Sequence, residues 1–154
     1  MKIDLIYLAG SLENSPDGGM EWRLNYQELL LQFLDAHAII PNEAEFLVRP
    51  RGIDFPSLKE SDPIEYEKIM RRYIELDLHL IDMSDIVIAH WNGEMSAGTI
   101  SEIHHCYMTE KPVYLVTNDK KNLPGWSLAE VGHQNIWPDF SCLLGHLAEL
   151  KYGT

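Results

Sequence analysis

Four short apolar runs, each too brief to be a helix, constrain the fold of this chain more than any other feature. Residues 3–9, 38–40, 86–89 and 113–116 are rich in Ile, Val, Leu and Tyr, and Ile86-Val87-Ile88-Ala89 contains no polar position. A strand that is apolar on both faces needs cover on both faces, which points to a parallel sheet between helical layers. The stretches that follow the runs have helical character. Residues 20–36 carry Trp22, Leu24, Leu29, Leu30, Phe33 and Leu34 at spacings that suit one face of a helix. Ser61-Asp62-Pro63 reads as a helix start, with proline in the first turn, and the helix runs on to about Leu80. Residues 98–108 and 140–150 supply two more helices, and 118–135 holds a further short strand or helix. The order β-α-β-α-β-α-β-α predicts an α/β fold in three layers, with a mostly parallel sheet of about five strands. The 154 residues fit a single domain, 1–154.

One stretch breaks the alternation. Residues 42–62 are polar, contain Pro50, Gly52 and Pro56, and show no clear period. They read as a loop long enough to serve as a lid or binding loop.

Composition narrows the function classes. About 45% of the residues are hydrophobic, enough to bury a core without disulfides or metal. Cys106 and Cys142 form no pattern and read as reduced packing residues. No apolar run is long enough to span a membrane. Met1-Lys2-Ile3-Asp4-Leu5-Ile6-Tyr7 reads as a first strand and not as a leader, so a cytoplasmic protein is expected. A formal net charge of −12 argues against a nucleic acid polymer as partner, because that needs clustered Lys and Arg. A small anionic ligand held by a few local groups stays compatible with it.

In open parallel sheets, ligands sit beyond the carboxyl ends of the strands. That directs attention to residues 10–19, to the end of the second strand at Pro41, and to residues 90–97. Leu8-Ala9-Gly10-Ser11-Leu12 is not a dinucleotide fingerprint, and no phosphate-binding P-loop sequence occurs. No HExxH is present, and the adjacent His104 and His105 point in different directions on a helix. Neither a metal nor a cofactor is expected. The sharpest segment is Ser96-Ala97-Gly98-Thr99-Ile100-Ser101-Glu102-Ile103. Small residues at a helix start let a ligand approach Gly98 and the first free N–H groups. Glu102 lies about one turn into that helix. Taken alone, Thr99 and Glu102 also have the spacing of a capping box.

The wider pattern resembles the nucleoside 2-deoxyribosyltransferases and the related nucleotide N-hydrolases. The resemblance rests on three blocks: Ile6-Tyr7-Leu8-Ala9-Gly10-Ser11 with Asp17-Gly18-Gly19 and Trp22-Arg23; Asp77 with residues 81–89; and residues 96–102 followed by Lys111-Pro112-Val113-Tyr114-Leu115-Val116. It implies a flavodoxin-like (Rossmann-like) fold and a retaining mechanism. Glu102 would attack the sugar's anomeric carbon, and a second base or water would then take up the sugar. By the same resemblance Asp77 protonates the leaving base and Tyr7 positions Glu102. Gly10, Ser11, Asp17, Arg23, Asn92, Ser96, Gly98 and Thr99 would line the substrate, with Glu94 near the sugar. A helix-start location would hold Glu102 ionised, and Asp85 is expected to cap the turn before its strand.

Three readings of activity stand at this point. The first is base exchange on 2′-deoxynucleosides. The second is hydrolysis of a (deoxy)nucleoside 5′-monophosphate by the same nucleophile. The third is a non-catalytic nucleotide-sensing module. Ser96 stands where the transferases often carry an Asp, and a serine there is a feature of the monophosphate hydrolases. Residues 12–15, Leu-Glu-Asn-Ser, lack the arginines those hydrolases use for phosphate. The partners implied are a nucleoside or nucleotide, a free nucleobase, and further copies of the chain in a homo-oligomer. Trp126, Trp137, Phe140 and Tyr152 are candidates for that interface or for the core.

Overall fold

A computed structural model describes residues 1–11, 17–93 and 96–153; the expectations placed on residues 12–16 and on Glu94 lie outside the described residues. Five strands form one sheet: β1 (Leu5–Gly10), β2 (His37–Ile39), β3 (Ile86–His90), β4 (Val113–Val116) and β5 (Ile136–Trp137). Every pairing is parallel and the spatial order is β2-β1-β3-β4-β5. This is the doubly wound flavodoxin-like order, whose switch point lies between β1 and β3.

The pleat sends alternate residues to opposite layers. Ile6 and Leu8 of β1 join Ile86 and Ile88 of β3 against Leu30 and Leu34 of α1 (Met20–Leu34) and Phe140, Leu143 and Leu147 of α7 (Phe140–Tyr152). Tyr7 and Ala9 join Val87 and Ala89 on the other face. There they meet Ile81 of α4 (Pro63–Met83), Ile103 and Cys106 of α5 (Ala97–Met108), and Val131 of α6 (Gly125–Val131). The alternation along β1 therefore decides that Tyr7, and not Ile6 or Leu8, faces α4 and α5.

Residues 42–62 are not a loop. Residues Pro41–Val48 form α2 and Phe55–Ser61 form α3. Pro41 and Pro56 each occupy the first turn of a helix, where the missing N–H costs nothing. The sequence shows no apolar stripe there because the helices are short and held from outside. Phe55 stacks on Tyr66 with ring centroids 4.8 Å apart and packs with Ile69 and Tyr73 of α4.

Other boundaries shift for local reasons. α1 stops at Leu34 because Asp35 takes a left-handed conformation, φ 47°, and its N–H bonds back to Leu31. The buried stripe of α1 is Arg23, Tyr26, Leu30 and Leu34, while Leu24 and Phe33 are about half exposed. α4 starts as expected, with Asp62 accepting from the N–H of Glu65 at 3.1 Å, and it continues to Met83. Asp85 accepts from the N–H groups of Asp4 and Leu5 at 2.8 and 2.9 Å, tying the entries of β3 and β1 together. Phe140 belongs to the core, and Trp126 and Tyr152 are exposed. Both cysteines are free thiols. Among the described residues no helix is long and apolar enough to cross a membrane.

Candidate active site

Tyr7 is fully buried in the middle of β1 and its hydroxyl donates to Glu102 Oε1 at 2.6 Å. That length is typical of a hydroxyl bonded to a carboxylate. Burial, with the nearby charges of Glu102 and Asp77, drives the phenol pKa far above its ordinary value. Tyr7 therefore stays a donor at any working pH.

Glu102 is not at the helix start. The N-cap of α5 is Ser96, whose hydroxyl accepts the Thr99 N–H at 3.2 Å and shares a 3.0 Å bond with the Thr99 hydroxyl. A capping box between Thr99 and Glu102 is thereby excluded. Glu102 lies beyond the first turn, where the helix dipole has faded, so the expectation that the helix end holds it ionised is corrected. Desolvation pushes its pKa up to about 7, against the Tyr7 hydrogen bond and the Arg23 charge, which pull it down.

Asp77 comes from α4 and its carboxyl reaches the same place. Its Oδ1 is buried without a hydrogen-bond partner among the described residues. Burial, followed by the charges of Glu45 and Glu102, raises its pKa to about 9. Two carboxyls in one site thus titrate apart. Between roughly neutral pH and about 9, Glu102 is largely ionised and Asp77 largely protonated, the division of labour a nucleophile and a general acid require.

Arg23 is fully buried and sends its donors to three main-chain carbonyls: Leu8 at 3.1 Å, Gly19 at 3.0 Å and Gly10 at 2.9 Å. Its guanidinium also lies over the Trp22 ring. It joins both ends of the segment after β1 and supplies positive potential to Glu102. The glycines there are required by packing: a Cβ on Gly10 would lie 2.6 Å from Trp22, and one on Gly19, at φ 71°, 2.6 Å from Arg23. Asp17 accepts from the N–H groups of Gly19 and Glu21 at 2.9 and 2.7 Å, which starts α1. Ser11 is buried at the end of β1, Asn92 and Gly98 are exposed, and Thr99 is buried. Among the described residues no group of three or more His, Cys, Asp or Glu could hold a metal ion.

The structure adds residues that the sequence reading passed over. Glu45 of α2 lies close enough to Asp77 for its charge to raise the Asp77 pKa, and it was hidden inside the stretch read as a loop. Pro41 at a first helical position was the available clue. Trp91, buried in one cluster with Tyr7 and Ala89, has an indole N–H with no partner among the described residues. His90 is stacked on Trp22 and bonded to the Tyr26 hydroxyl at 2.9 Å. Burial, then Arg23, lowers its pKa to about 4, so it is neutral.

The parallel 2-1-3-4-5 sheet, with carboxyls from α4 and α5 gathered about a strand tyrosine, defines a flavodoxin-like protein with two buried carboxyls that titrate apart. The sequence profile described as nucleoside 2-deoxyribosyltransferase matches residues 6–139, and the chain belongs to that family. No curated protein matches it. The fold is similar to a solved 2-deoxyribosyltransferase from Bacillus psychrosaccharolyticus, described as a biocatalyst for synthesis of antiviral and antitumoral nucleosides, with TM-score 0.67, 17% identity, and coverage of 91% of this chain and 90% of that one. It is also similar to a conserved protein from Enterococcus faecalis V583, with TM-score 0.68, 16% identity, and coverage of 97% and 99%.

Tyr7→Phe removes the hydroxyl that donates to Glu102. A hydrogen bond to a charged group is worth about 1.5–3 kcal/mol, so kcat/KM is expected to fall about ten- to a hundredfold. The acidic limb of its pH profile should move to higher pH, because the group that lowers the Glu102 pKa is gone. A pH–rate profile of the variant checks both.

Proposed function

We propose that the chain exchanges nucleobases on 2′-deoxynucleosides. The observation that carries this reading is the 2.6 Å Tyr7–Glu102 bond beside the buried, unpartnered oxygen of Asp77. An oxygen lone pair of Glu102 attacks C1′ as the C1′–N bond breaks. The bond's electron pair goes to the base, and the Asp77 proton goes to a ring nitrogen of that base. A second base then attacks C1′, releases Glu102, and returns a proton to Asp77. The developing oxocarbenium charge is stabilised by the acidic surroundings.

Arg23 favours a nucleoside over a 5′-monophosphate. Its guanidinium donates to three carbonyls, and neither residues 12–16 nor 94–95 contain Lys or Arg. A phosphate dianion brought near Glu102, Asp77 and Glu45 would meet carboxyls and no free arginine from this part of the chain. The natural small-molecule partners on this reading are a deoxynucleoside and a free base, and the protein acts as a homo-oligomer in the cytoplasm.

Incubation with deoxyinosine and adenine tests the proposal. Formation of deoxyadenosine, faster from the nucleoside than from its 5′-monophosphate, is the expected result. Release of free base alone, with the monophosphate preferred, would instead identify a hydrolase.

A further inference from the structure

Trp91 follows directly on β3 and is only 5% exposed. Its main-chain N–H donates to the Val116 carbonyl at 3.1 Å, which fixes the backbone that carries the ring. The indole N–H is buried and has no partner among the described residues. Leaving a buried donor unpaired is costly, and native structures seldom do so without a purpose. Val87, Ala89 and Trp91 alternate along the chain with Ile86, Ile88 and His90. Trp91 therefore shares a face with Tyr7, in one cluster with Ile81 of α4 and Ile103 of α5. Tyr7 is in register with Val87, so Trp91 lies two pleats further in the carboxyl direction, where open parallel sheets take their ligands. We propose that the Trp91 indole N–H binds the substrate's base by donating to an exocyclic carbonyl oxygen, which makes the site selective for oxo-bases; this rests on the functional reading above.

The chemistry of the donor sets the kind of base. An indole N–H donates and never accepts. A carbonyl such as the 6-oxygen of hypoxanthine satisfies it. An amino group in the same place, as in adenine, sets donor against donor, and a bare C–H leaves the indole unpaired. A site with a buried donor discriminates against a ligand lacking the acceptor more sharply than an apolar pocket discriminates by size. The Tyr7 hydroxyl, on the same face, is committed to Glu102 at 2.6 Å. His90, next to Trp91 in the chain, is turned to the other layer, where it stacks on Trp22 and bonds the Tyr26 hydroxyl at 2.9 Å. On this reading adenine is still taken up by base exchange, but more slowly than hypoxanthine.

The test compares deoxyinosine with 2′-deoxynebularine, the same nucleoside without the 6-oxygen. Trp91→Phe keeps an aromatic ring and removes the N–H. Its kcat/KM on deoxyinosine is expected to fall about three- to tenfold further than on deoxynebularine, the range of one neutral hydrogen bond. Benzothienylalanine in place of Trp91 keeps the bicyclic shape without the donor, and it should give the same difference even where the smaller phenylalanine unsettles the fold. Binding is read apart from turnover. The chain has four tryptophans, whose indole N–H groups give separate nuclear magnetic resonance signals. The signal lost in either variant belongs to Trp91, and it should move downfield on saturation with hypoxanthine but not with purine. Equal losses on both nucleosides, or an indole signal that does not distinguish hypoxanthine from purine, would overturn the role of Trp91 and leave base exchange standing. Failure of the unmutated protein to cleave either nucleoside would overturn the functional reading itself, and this proposal with it.

Discussion

Glu102→Gln should leave the protein folded and lower turnover on order of 10⁴-fold or more, the scale seen when a covalent nucleophile is removed. The amide is nearly the same size and can still accept the Tyr7 hydroxyl, whose 2.6 Å bond otherwise loses its partner. What it cannot do is form a glycosyl ester. Burial already raises the Glu102 pKa to about 7, so the neutral amide also relieves a desolvation cost. Stability at or above neutral pH should therefore hold or rise. Steady-state assays and thermal melts at two pH values check the pair of effects, and unchanged kinetics would rule out Glu102 as nucleophile.

The second large effect is that of Asp77→Asn. Loss of the proton donor should cost about 10²–10⁴-fold on bases that leave poorly. The same change should stabilise the protein, and the sign follows from linkage. The folded pKa of Asp77 is raised to about 9, whereas an unfolded Asp titrates near ~3.9. Between those values unfolding releases a proton, so stability declines as pH rises through the window and reaches its floor above the folded pKa. Asn has no such dependence. The melting temperature of the variant should pull ahead of the unmutated protein from pH 5 towards pH 9, by ~2–4 °C for each kcal/mol relieved. An equal gap at both pH values would mean that Asp77 is ionised in the folded protein.

The two carboxyls together predict a bell-shaped pH profile. Activity rises through about 7 as Glu102 ionises and falls through about 9 as Asp77 loses its proton. Because the groups interact, the limbs belong to the pair as a whole.

Much of this was legible in the chain itself. Ile86-Val87-Ile88-Ala89 reads as a strand covered on both faces, and it is the central strand β3. Pro63 after Asp62 reads as a helix start and is one. The meeting of Tyr7 with Glu102 came from a family pattern, since nothing in spacing alone brings together residues 95 positions apart. The helices α2 and α3 were hidden because both are short, and α3 is held by tertiary contacts through Phe55 and not by an amphipathic period. Glu45 was lost with them. The electrostatic state of Glu102 was also illegible. Position in a helix suggests a charge, but the low-dielectric surroundings that lift its pKa are built from strands and helices distant in sequence.

The clamp made by Arg23 has an evolutionary consequence. A single buried guanidinium holds the carbonyls of Leu8, Gly10 and Gly19 together, so the end of the strand that carries Tyr7 and the start of α1 share one fastener. A substitution at Arg23 would unsettle both at once, which makes that position slow to drift.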